Sequence, residues 1–274
     1  MVVPLRAVNR SRRRVRGHAW LDCGCTQVAA RHERLKAMLD RDTVALDDPV
    51  AESLRGPHAH LARRLGRAAG YLPEVASFSA VSGDPDPAEW DDLARLLGRG
   101  GFADLFSCPA TPPADWEPIF ALDGLQMVFL ATGRADVTHV AHVEPGSELV
   151  ELGADDVPEM LDLTARTRPG PFWPRTLELG TYLGIRENGA LVAMAGERLR
   201  PPGWTEISAV CTAPEARGRG YASRLVDALV THITARNERP FLHVAEANTS
   251  AIALYERLGF AFRKRVTFRG FRTP

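Results

Sequence analysis

The sequence predicts a mixed α/β (α+β) fold, in which a mostly antiparallel central sheet is flanked by helices. Asn188-Gly189 joins two strand-like runs, and this dipeptide is the strongest short-range signal for an antiparallel hairpin. A further strand around 205–212 runs through a glycine-rich turn into a helix over roughly 218–236. The chain has 274 residues, of which 45% are hydrophobic and 25% charged, so it can bury a core of ordinary size.

The first half shows helix and strand signals but no chemical motif. Asp86-Pro87 predicts a helix start, with an aspartate cap and a proline in the first turn, and Gly98 predicts its end. Asp123-Gly124 predicts a tight hairpin turn, because this pair suits a backbone with positive φ. The other elements predicted here are a helix over 28–41, strands over 102–107, 119–122, 125–131 and 137–143, and a loop over 108–115.

The second half carries sharper signals, beyond a boundary that the sequence places near 145. Asn248 predicts the cap of a helix that ends near Gly259, and two short strands are expected after it. The other elements predicted here are strands over 149–152, 181–186, 190–199, 205–212 and 240–244, and helices over 155–167 and 218–236. The predicted division is a basic, disordered tail at 1–27, a mixed α/β half at 28–145 and a further domain at 146–274.

The formal net charge is zero, which gives no bulk attraction to nucleic acid or to anionic membranes. The total hides a tail in which six arginines lie between Arg6 and Arg16, followed by a net-acidic remainder. A twin-arginine signal or a transit peptide is the alternative to a disordered tail. No apolar run reaches the length of about eighteen residues that a transmembrane helix needs. We therefore expect a cytoplasmic protein, with neither a membrane nor a nucleic acid as partner.

The cysteines show no pattern of metal ligands. The chain has four of them, at Cys23, Cys25, Cys108 and Cys211, and the Cys23-Gly-Cys25 pair has no second pair to complete a zinc site. We therefore expect no metal, and unpaired thiols of this kind fit a reducing cytosol.

The glycine-rich turn is the most informative segment of the chain. Gly218, Gly220 and Ala222 are small residues at the start of a helix, where successive backbone N–H groups lack helical partners and the helix dipole attracts anions. The turn therefore predicts a cradle for a diphosphate. The third glycine of a dinucleotide fingerprint is missing at Ser223, and the lysine of a P-loop is absent. The alternative is that these glycines only cap a helix.

The turn resembles a known family. The segment 217–222, Arg-Gly-Arg-Gly-Tyr-Ala, matches the R/Q-x-x-G-x-G/A acetyl-CoA signature of the GNAT acyltransferase superfamily. Asn248 and the segment 254–260, Leu-Tyr-Glu-Arg-Leu-Gly-Phe, resemble the family's Asn…Tyr-x-x-x-Gly-Phe segment. The resemblance covers roughly 147–274, and the first half resembles the extra, degenerate GNAT-like half of two-part members of the glycine-N-acyltransferase-like type.

The resemblance implies that acetyl-CoA is the cofactor and that the backbone of one strand and of the turn binds it. The residues implied in cofactor binding are Val210, Cys211, Thr212, Arg217, Gly218, Arg219, Gly220, Tyr221, Ala222 and Asn248. It also implies a bulge in the strand, which directs the N–H of Val210 or Cys211 at the thioester oxygen. The basic cluster at Arg263–Arg265 is a further candidate for the cofactor phosphates.

Two residues are implied in the chemistry of acyl transfer. Glu206 lies at the position where several family members place a general base, and its alternative role is that of a half-exposed strand carboxylate. Tyr255 matches the family's general acid beside the cofactor sulfur, because a phenol with a pKa near 10 stays protonated and can donate. Its alternative role is packing on the core.

Candidates for the acceptor side are less specific. His243 is implied as a substrate contact or second base, although a lone histidine in an apolar strand is more often a hydrogen-bonded core residue. Phe172 and Trp173 could form an apolar wall, with Arg175 as a carboxylate clamp, or could belong to a rigid proline-rich loop. Cys211 as an acyl-accepting nucleophile is disfavoured, because strand cysteines are usually buried and inert.

The function predicted from these residues is that of an acetyl-CoA-dependent N-acetyltransferase acting on a primary amine of a small molecule or amino acid. The alternative is a non-catalytic acyl-CoA-binding regulatory module. Nucleic-acid association through the basic tail is a third hypothesis, which lacks aromatic residues between the arginines. The sequence identifies neither the acceptor nor the acyl length, and it leaves a homodimer open.

Overall fold

The computed structural model describes residues 43–130 and 146–274. The predicted helix over 28–41, the predicted strand over 137–143, the basic tail and the Cys23–Cys25 pair lie outside the described residues. Within the described part, residues Ala45–Pro274 form one compact unit.

Within residues 43–130 and 146–274, the main sheet has eight strands. They are β4 (Phe102–Phe106), β5 (Glu117–Phe129), β6 (Ser147–Glu151), β7 (Tyr182–Glu187), β8 (Ala190–Glu197), β9 (Trp204–Thr212), β10 (Arg239–Ala245) and β11 (Phe260–Arg272). Their order across the sheet is β4-β11-β5-β10-β9-β8-β7-β6. Every neighbouring pair is antiparallel except β9 and β10, which run parallel. The predicted mixed, mostly antiparallel sheet is therefore confirmed.

Smaller elements complete the unit. A three-stranded sheet consists of β1 (Ala62–Leu65), β2 (Ala68–Tyr71) and β3 (Ser79–Ala80). The helices are α1 (Pro49–Arg55), α2 (Pro87–Leu97), α3 (Val157–Thr167), α4 (Tyr221–Ala235) and α5 (Thr249–Arg257). Helices α3 and α4 pack on β8 and β9, and their apolar faces bury residues such as Leu163, Leu225 and Leu229. Each such leucine contributes about 1.5–3 kcal/mol of burial free energy.

The capping signals in the sequence are confirmed. The Asp86 carboxylate accepts a hydrogen bond from the Glu89 amide at 2.9 Å, and α2 ends at Gly98, which has a φ of +82°. The Asn248 side chain accepts from the Ala251 amide at 3.2 Å at the start of α5. Short polar side chains stabilise a helix start in this way because its first N–H groups have no partner within the helix.

The hairpin predicted at Asn188-Gly189 is confirmed and joins β7 to β8. Asn188 has a φ of +51° and Gly189 a φ of +87°. Two consecutive left-handed residues are what a type I′ turn requires, and its twist matches that of the flanking strands.

The hairpin predicted at Asp123-Gly124 is wrong, because both residues lie inside the single strand β5. Asp123 pairs with Thr267 and Gly124 with Val266 of β11, while Gly124 also pairs with Ala245 of β10. A Cβ on Gly124 would lie 2.5 Å from ring carbons of Phe268. The glycine therefore makes room for a neighbouring ring, whereas the prediction assumed that it served a turn.

The two short strands predicted at the end of the chain are also wrong. They form one strand, β11, which runs through two register irregularities, between Phe262 and Lys264 and between Gly270 and Phe271. An extra residue at such a bulge bends a strand without ending it. The local sequence pattern at such a bend resembles a break between two strands, which is why the sequence predicts two strands.

Strands from both sides of the predicted boundary near 145 share the main sheet. β5 lies between β10 and β11 and is antiparallel to both, with partners from Phe241 to Ala245 on one side and from Phe260 to Arg272 on the other. The division into 28–145 and 146–274 stays a prediction. The strand pairing means that the two parts build one continuous layer behind the functional site.

Candidate cofactor site and the fork between two strands

The sheet opens into a fork between β9 and β10. These two strands pair at three positions only, Arg239 with Trp204, Pro240 with Thr205, and Phe241 with Glu206. Beyond them β9 continues along β8, and β10 continues along β5. Among the described residues no strand fills the gap, so the facing backbone edge of β9 after Glu206 is available to an extended ligand.

A bulge interrupts β9 just inside this fork. Met194 pairs with Cys211 and Gly196 with Ser208, so that Ala209 and Val210 together face a single residue of β8. Ala209 has a φ of +52°, a conformation that costs a residue with a Cβ on the order of 1 kcal/mol or more. The bulge lies where the family resemblance places one. The direction of the Val210 or Cys211 N–H toward a thioester stays a prediction.

The glycine-rich turn follows β9 and begins α4. Gly218 has a φ of +81° and Gly220 a φ of +76°. Among the described residues, no acceptor is present for the six consecutive N–H groups from 218 to 223. A Cβ added at Gly218 or Gly220 would meet no atom within 4 Å. Free amides, open space and the positive end of a helix together form an anion cradle.

The two arginines of the cradle differ in how far nearby acids compensate their positive charge. Arg219 donates to both carboxylate oxygens of Glu187 at 2.7 Å, and the Tyr221 hydroxyl donates to the same carboxylate. The bonds from Tyr221 and Arg219 lower the pKa of Glu187, so it stays ionised and offsets the Arg219 charge. Arg217 is exposed, and in the described part of the chain its side chain makes a single long contact, 3.4 Å from the Thr212 carbonyl. Arg217 therefore supplies the less compensated positive charge at the cradle.

Glu206 lies at the apex of the fork and is fully buried. Its Oε1 accepts from Arg198 at 2.6 Å and lies 2.6 Å from His243 Nδ1, while its Oε2 accepts from Arg198 at 2.8 Å and from the Leu199 amide at 3.3 Å. Burial alone would raise the pKa of Glu206, but the Arg198 guanidinium and the His243 ring lower it to about 2. The carboxylate is therefore ionised, and each oxygen already accepts two hydrogen bonds.

His243 continues the network from β10 to β5. Its Nε2 lies 3.1 Å from Gln126 Nε2, which also donates to the Leu46 carbonyl at 2.9 Å. Gln126 Oε1 accepts from Arg263 at 2.7 Å. These partners assign the neutral ring with its proton on Nδ1, donating to Glu206. Burial lowers the pKa of His243 despite the adjacent carboxylate, which agrees with a neutral ring.

Tyr255 lies on α5 and is 8% exposed. Its ring packs edge-on against Phe260, with 6.0 Å between the centroids. Burial raises the pKa of Tyr255 to about 12, so the phenol keeps its proton throughout the neutral range. Among residues 43–130 and 146–274, no hydrogen-bond partner of its hydroxyl is present. The Tyr255 hydroxyl is therefore protonated, and it can donate a hydrogen bond to a bound ligand.

The remaining cofactor-side candidates have clear local roles. Asn248 uses its side-chain oxygen to cap α5, accepting from Ala251 and from Ser250, which leaves its amide hydrogens to donate. Val210 and Thr212 are half-buried along the fork edge of β9. Burial raises the pKa of the Cys211 thiol, so this cysteine stays protonated and gives no support to a nucleophilic role.

The proline-rich loop after α3 is held by the first half of the chain. The Arg175 amide donates to the Glu74 carbonyl at 3.0 Å, and the Thr176 hydroxyl donates to the Val75 carbonyl at 2.8 Å. His58 Nε2 lies 3.0 Å from the Leu179 carbonyl, and Nδ1 of the same ring lies 2.8 Å from the Tyr71 hydroxyl. The first half thus immobilises a loop that the sequence assigns to the acceptor side.

Within that loop, the three residues predicted on the acceptor side differ in how far neighbouring residues already occupy their side chains. Phe172 packs edge-on against Tyr182 at 5.7 Å, and Trp173 is half-buried, with its amide donating to Thr176. Arg175 forms a two-pronged pair with Glu178, at 2.5 and 2.8 Å. The guanidinium expected as a carboxylate clamp is therefore already paired.

The basic cluster near the end of the chain is paired with acids. Arg263 and Lys264 both reach Asp47 at 2.9 Å, and Arg265 reaches Glu246 at 2.9 Å. Its predicted help to the cofactor phosphates stays a prediction. Over residues 43–130 and 146–274, no helix is both long and apolar enough to span a membrane, and no group of histidine, cysteine and acidic side chains is arranged to hold a metal.

Sequence reasoning missed two members of the buried network, Arg198 and Gln126. Neither belongs to a motif: Gln126 is a single polar residue in an apolar run, and Arg198 directly follows Glu197 at the end of β8. A signal was nevertheless present, because Gln126, Glu206 and His243 are all polar residues at strand positions that are otherwise apolar. Such residues need partners when they are buried.

Known proteins resemble this chain in sequence and in fold. The family model described as FR47-like protein matches residues 182–269. A structure of a putative acetyltransferase from the GNAT family, from Novosphingobium aromaticivorans DSM 12444, is 39% identical. The similarity covers 84% of this chain and 98% of that one, with a TM-score of 0.71.

More distant structures share the fold. A GCN5-related N-acetyltransferase from Kribbella flavida is 18% identical over 84% of this chain and 96% of its own, with a TM-score of 0.56. A tandem GNAT protein from the clavulanic acid biosynthesis pathway is 19% identical over 77% of this chain and 79% of its own, with a TM-score of 0.52.

A curated relative matches locally. The mycothiol acetyltransferase of Salinispora arenicola (strain CNS-205) is 40% identical over 67 residues. That stretch spans 24% of this chain and 22% of the relative. The near full-length similarity to the Novosphingobium protein, together with the fork, the bulge and the cradle, identifies the family: the chain belongs to the GNAT family of acetyltransferases.

Proposed function

We propose that the protein is an acetyl-CoA-dependent N-acetyltransferase whose acceptor is a primary amine of a small molecule or amino acid. One observation carries the cofactor assignment. The six N–H groups from 218 to 223 have no acceptor among the described residues, and they surround open space at the start of α4. A diphosphate fits this arrangement of donors.

The chain's own residues would hold such a cofactor in two parts. Gly218 and Gly220 let the diphosphate approach the backbone, and Arg217 adds positive charge there. The unpaired edge of β9 beyond Glu206 receives the pantetheine arm as an added strand. Acetyl-CoA supplies the activated acyl group as a thioester. The bulge at Ala209 and Val210 then offers a backbone N–H to the thioester oxygen, where negative charge develops.

Tyr255 is the proposed proton donor to the departing thiolate. A group in this role must hold its proton at neutral pH and must have it free to donate. The buried Tyr255 meets both conditions, since its pKa is raised to about 12 and its hydroxyl has no hydrogen-bond partner among the described residues.

The acceptor amine must lose a proton, and Glu206 is the residue that the sequence predicts as the general base. Its carboxylate already accepts four hydrogen bonds, and its pKa of about 2 makes it a weak base. Direct acceptance would require Arg198 or His243 to withdraw. We therefore propose that the amine proton leaves to water and that Glu206 remains ionised during the reaction.

The acceptor is proposed by class only. The loop at 168–180 is fixed to the first half through Glu74 and Val75, so the first half helps to define the space beside the reacting groups. The Salinispora relative is named a mycothiol acetyltransferase, so thiol compounds are one class of acceptor to include among those tested.

The alternative function is a regulatory module that binds acyl-CoA without turnover. The hydrogen bonding of Glu206 favours the regulatory module, because both oxygens of this carboxylate already accept hydrogen bonds and neither is free to act as a base. A thiol-release assay with acetyl-CoA and a panel of amines, including amino acids and aminothiols, separates the two functions. Turnover with any amine supports the enzyme. CoA binding without turnover across the panel supports the module, and absence of CoA binding contradicts both.

A further inference from the structure

Five polar side chains cross one face of the main sheet in a single line. In order they are Arg198, Glu206, His243, Gln126 and Arg263. Arg198 directly follows β8, and the next four residues lie on β9, β10, β5 and β11. We name this line the transverse chain. It joins five neighbouring segments of the sheet through side chains alone.

The transverse chain crosses the fork at its apex. Glu206 is the last residue of β9 that pairs with β10, and its partner there is Phe241. His243 lies two residues beyond Phe241, where the two backbones have already separated. The 2.6 Å contact from His243 Nδ1 to Glu206 Oε1 thus continues the link where backbone pairing has stopped.

This contact has no equivalent farther into the fork. Among the described residues, no other hydrogen bond or ion pair connects β9 beyond Glu206 with β10 beyond Phe241. Each strand is firmly attached on its outer side, β9 to β8 and β10 to β5. Besides the packing of α4 on both strands, this side-chain pair is the direct link between β9 and β10 in the described part of the fork.

Both ends of this pair are held in place. Arg198 grips Glu206 through two nitrogens, and its guanidinium lies over the rings of Phe78 and Phe106, at 5.1 and 4.5 Å. Gln126 holds the opposite nitrogen of the His243 ring at 3.1 Å. Buried side chains whose hydrogen bonds are all made have one arrangement, and they transmit that geometry to the backbone that carries them.

We propose that the transverse chain fixes the opening of the fork, and that Glu206 and His243 are positioning residues for the pantetheine arm of acetyl-CoA. The proposal rests on the proposed function, because it concerns the same site. The Glu206–His243 contact sets the distance between β9 and β10, and this distance decides whether an arm bound along β9 reaches the bulge at Ala209 and Val210. The diphosphate cradle lies beyond the far end of β9 and does not depend on this contact.

The experiment compares two probes on matched variants. CoA occupies both the fork and the cradle, whereas ADP carries the diphosphate without the pantetheine arm. His243→Leu removes the donor to Glu206, while His243→Asn keeps an N–H near the position of Nδ1. Titration calorimetry on the full chain should show CoA binding roughly tenfold or more weaker in His243→Leu. ADP binding should be unchanged, and His243→Asn should restore much of the affinity for CoA.

Three outcomes would overturn the proposal. They are unchanged CoA affinity in His243→Leu, an equal loss of CoA and ADP affinity, and no recovery in His243→Asn. If His243→Leu does not fold, Gln126→Leu replaces it, because this variant removes the partner on the other side of the ring and the same split between CoA and ADP is expected. Failure of the unsubstituted protein to bind CoA would instead contradict the proposed function.

Discussion

Gly124 on β5 lies against the ring of Phe268 on β11, so closely that a Cβ on the glycine would be 2.5 Å from two ring carbons. The Val244 carbonyl of β10 lies 3.1 Å from the same position. The glycine thus lies between a ring and a backbone at a place where three strands meet, and neither neighbour can easily give way.

Gly124→Ala should therefore destabilise the protein by about 1–3 kcal/mol, the usual cost of overfilling a packed site. Urea unfolding measures the free energy of unfolding. Gly83→Ala is the control, because nothing lies within 4 Å of a Cβ there and no positive φ is required. Equal stability of the two variants would show that the Phe268 ring moves aside at little cost.

Gly220→Asp should weaken CoA binding by roughly a hundredfold or more, because it places a carboxylate among the amides that we propose to bind the diphosphate. Gly203→Asp is a matched control, since Gly203 has the same φ of +76° and the same open surroundings in a turn before β9. Calorimetric titration with CoA distinguishes them. Similar loss in both variants would attribute the effect to backbone strain.

Tyr255→Phe should lower kcat roughly a hundredfold or more while leaving the Kd for CoA nearly unchanged, because it removes the proposed proton donor and keeps the ring. Stopped-time thiol release gives kcat, and calorimetry gives Kd. Phe260→Leu is the control for ring packing, since Phe260 is the aromatic neighbour of Tyr255. A parallel loss of kcat and CoA affinity in Tyr255→Phe would indicate a packing role.

His58 should make the protein less stable as the pH falls. Burial lowers the pKa of His58 from 6.5 to about 4, so the unfolded chain binds a proton in this interval before the folded one does. The free energy of unfolding should be fully retained above pH 6.5 and should decrease toward pH 4. In His58→Gln this decrease should be smaller. Parallel profiles would mean that the ring titrates normally in the folded state.

Glu206 should contribute to the free energy of unfolding in a lower pH range than His58. The folded pKa of about 2 lies below the ordinary 4.5, so its contribution is complete above pH 4.5 and is lost as the pH falls toward 2. Glu206→Gln should flatten the unfolding profile in that range. Glu246→Gln is the control, because Glu246 pairs with Arg265 at an exposed position, where solvent screens the interaction. Equal flattening in both variants would contradict a special role for burial.

Several elements in both halves of the chain could be predicted because their signals are local. The caps at Asp86 and Asn248 and the turn at Asn188-Gly189 each depend on a few adjacent residues, and the structure has all three. The cradle at Gly218 and Gly220 likewise follows from the short path from a strand to a helix start.

What the sequence could not predict depends on distant residues. Asp123-Gly124 has the composition of a turn, but the pair is extended because β10 and β11 pair with it from both sides. Glu206 resembles a free base along the chain, whereas Arg198 and His243 reach it only after folding. Strand order and buried pairing are non-local properties, so propensity and motif spacing do not determine them.

The position of β5 between two strands that follow it in the sequence constrains folding during synthesis. Glu117–Phe129 leaves the ribosome long before Arg239–Ala245 and Phe260–Arg272, the two strands between which it belongs. Its two edges lack these partners until the segments 239–245 and 260–272 have been synthesised, and an unpaired edge of this kind is open to wrong partners. We therefore expect folding to be completed only after release of the last strand, so that chains truncated before Phe260 aggregate or require a chaperone.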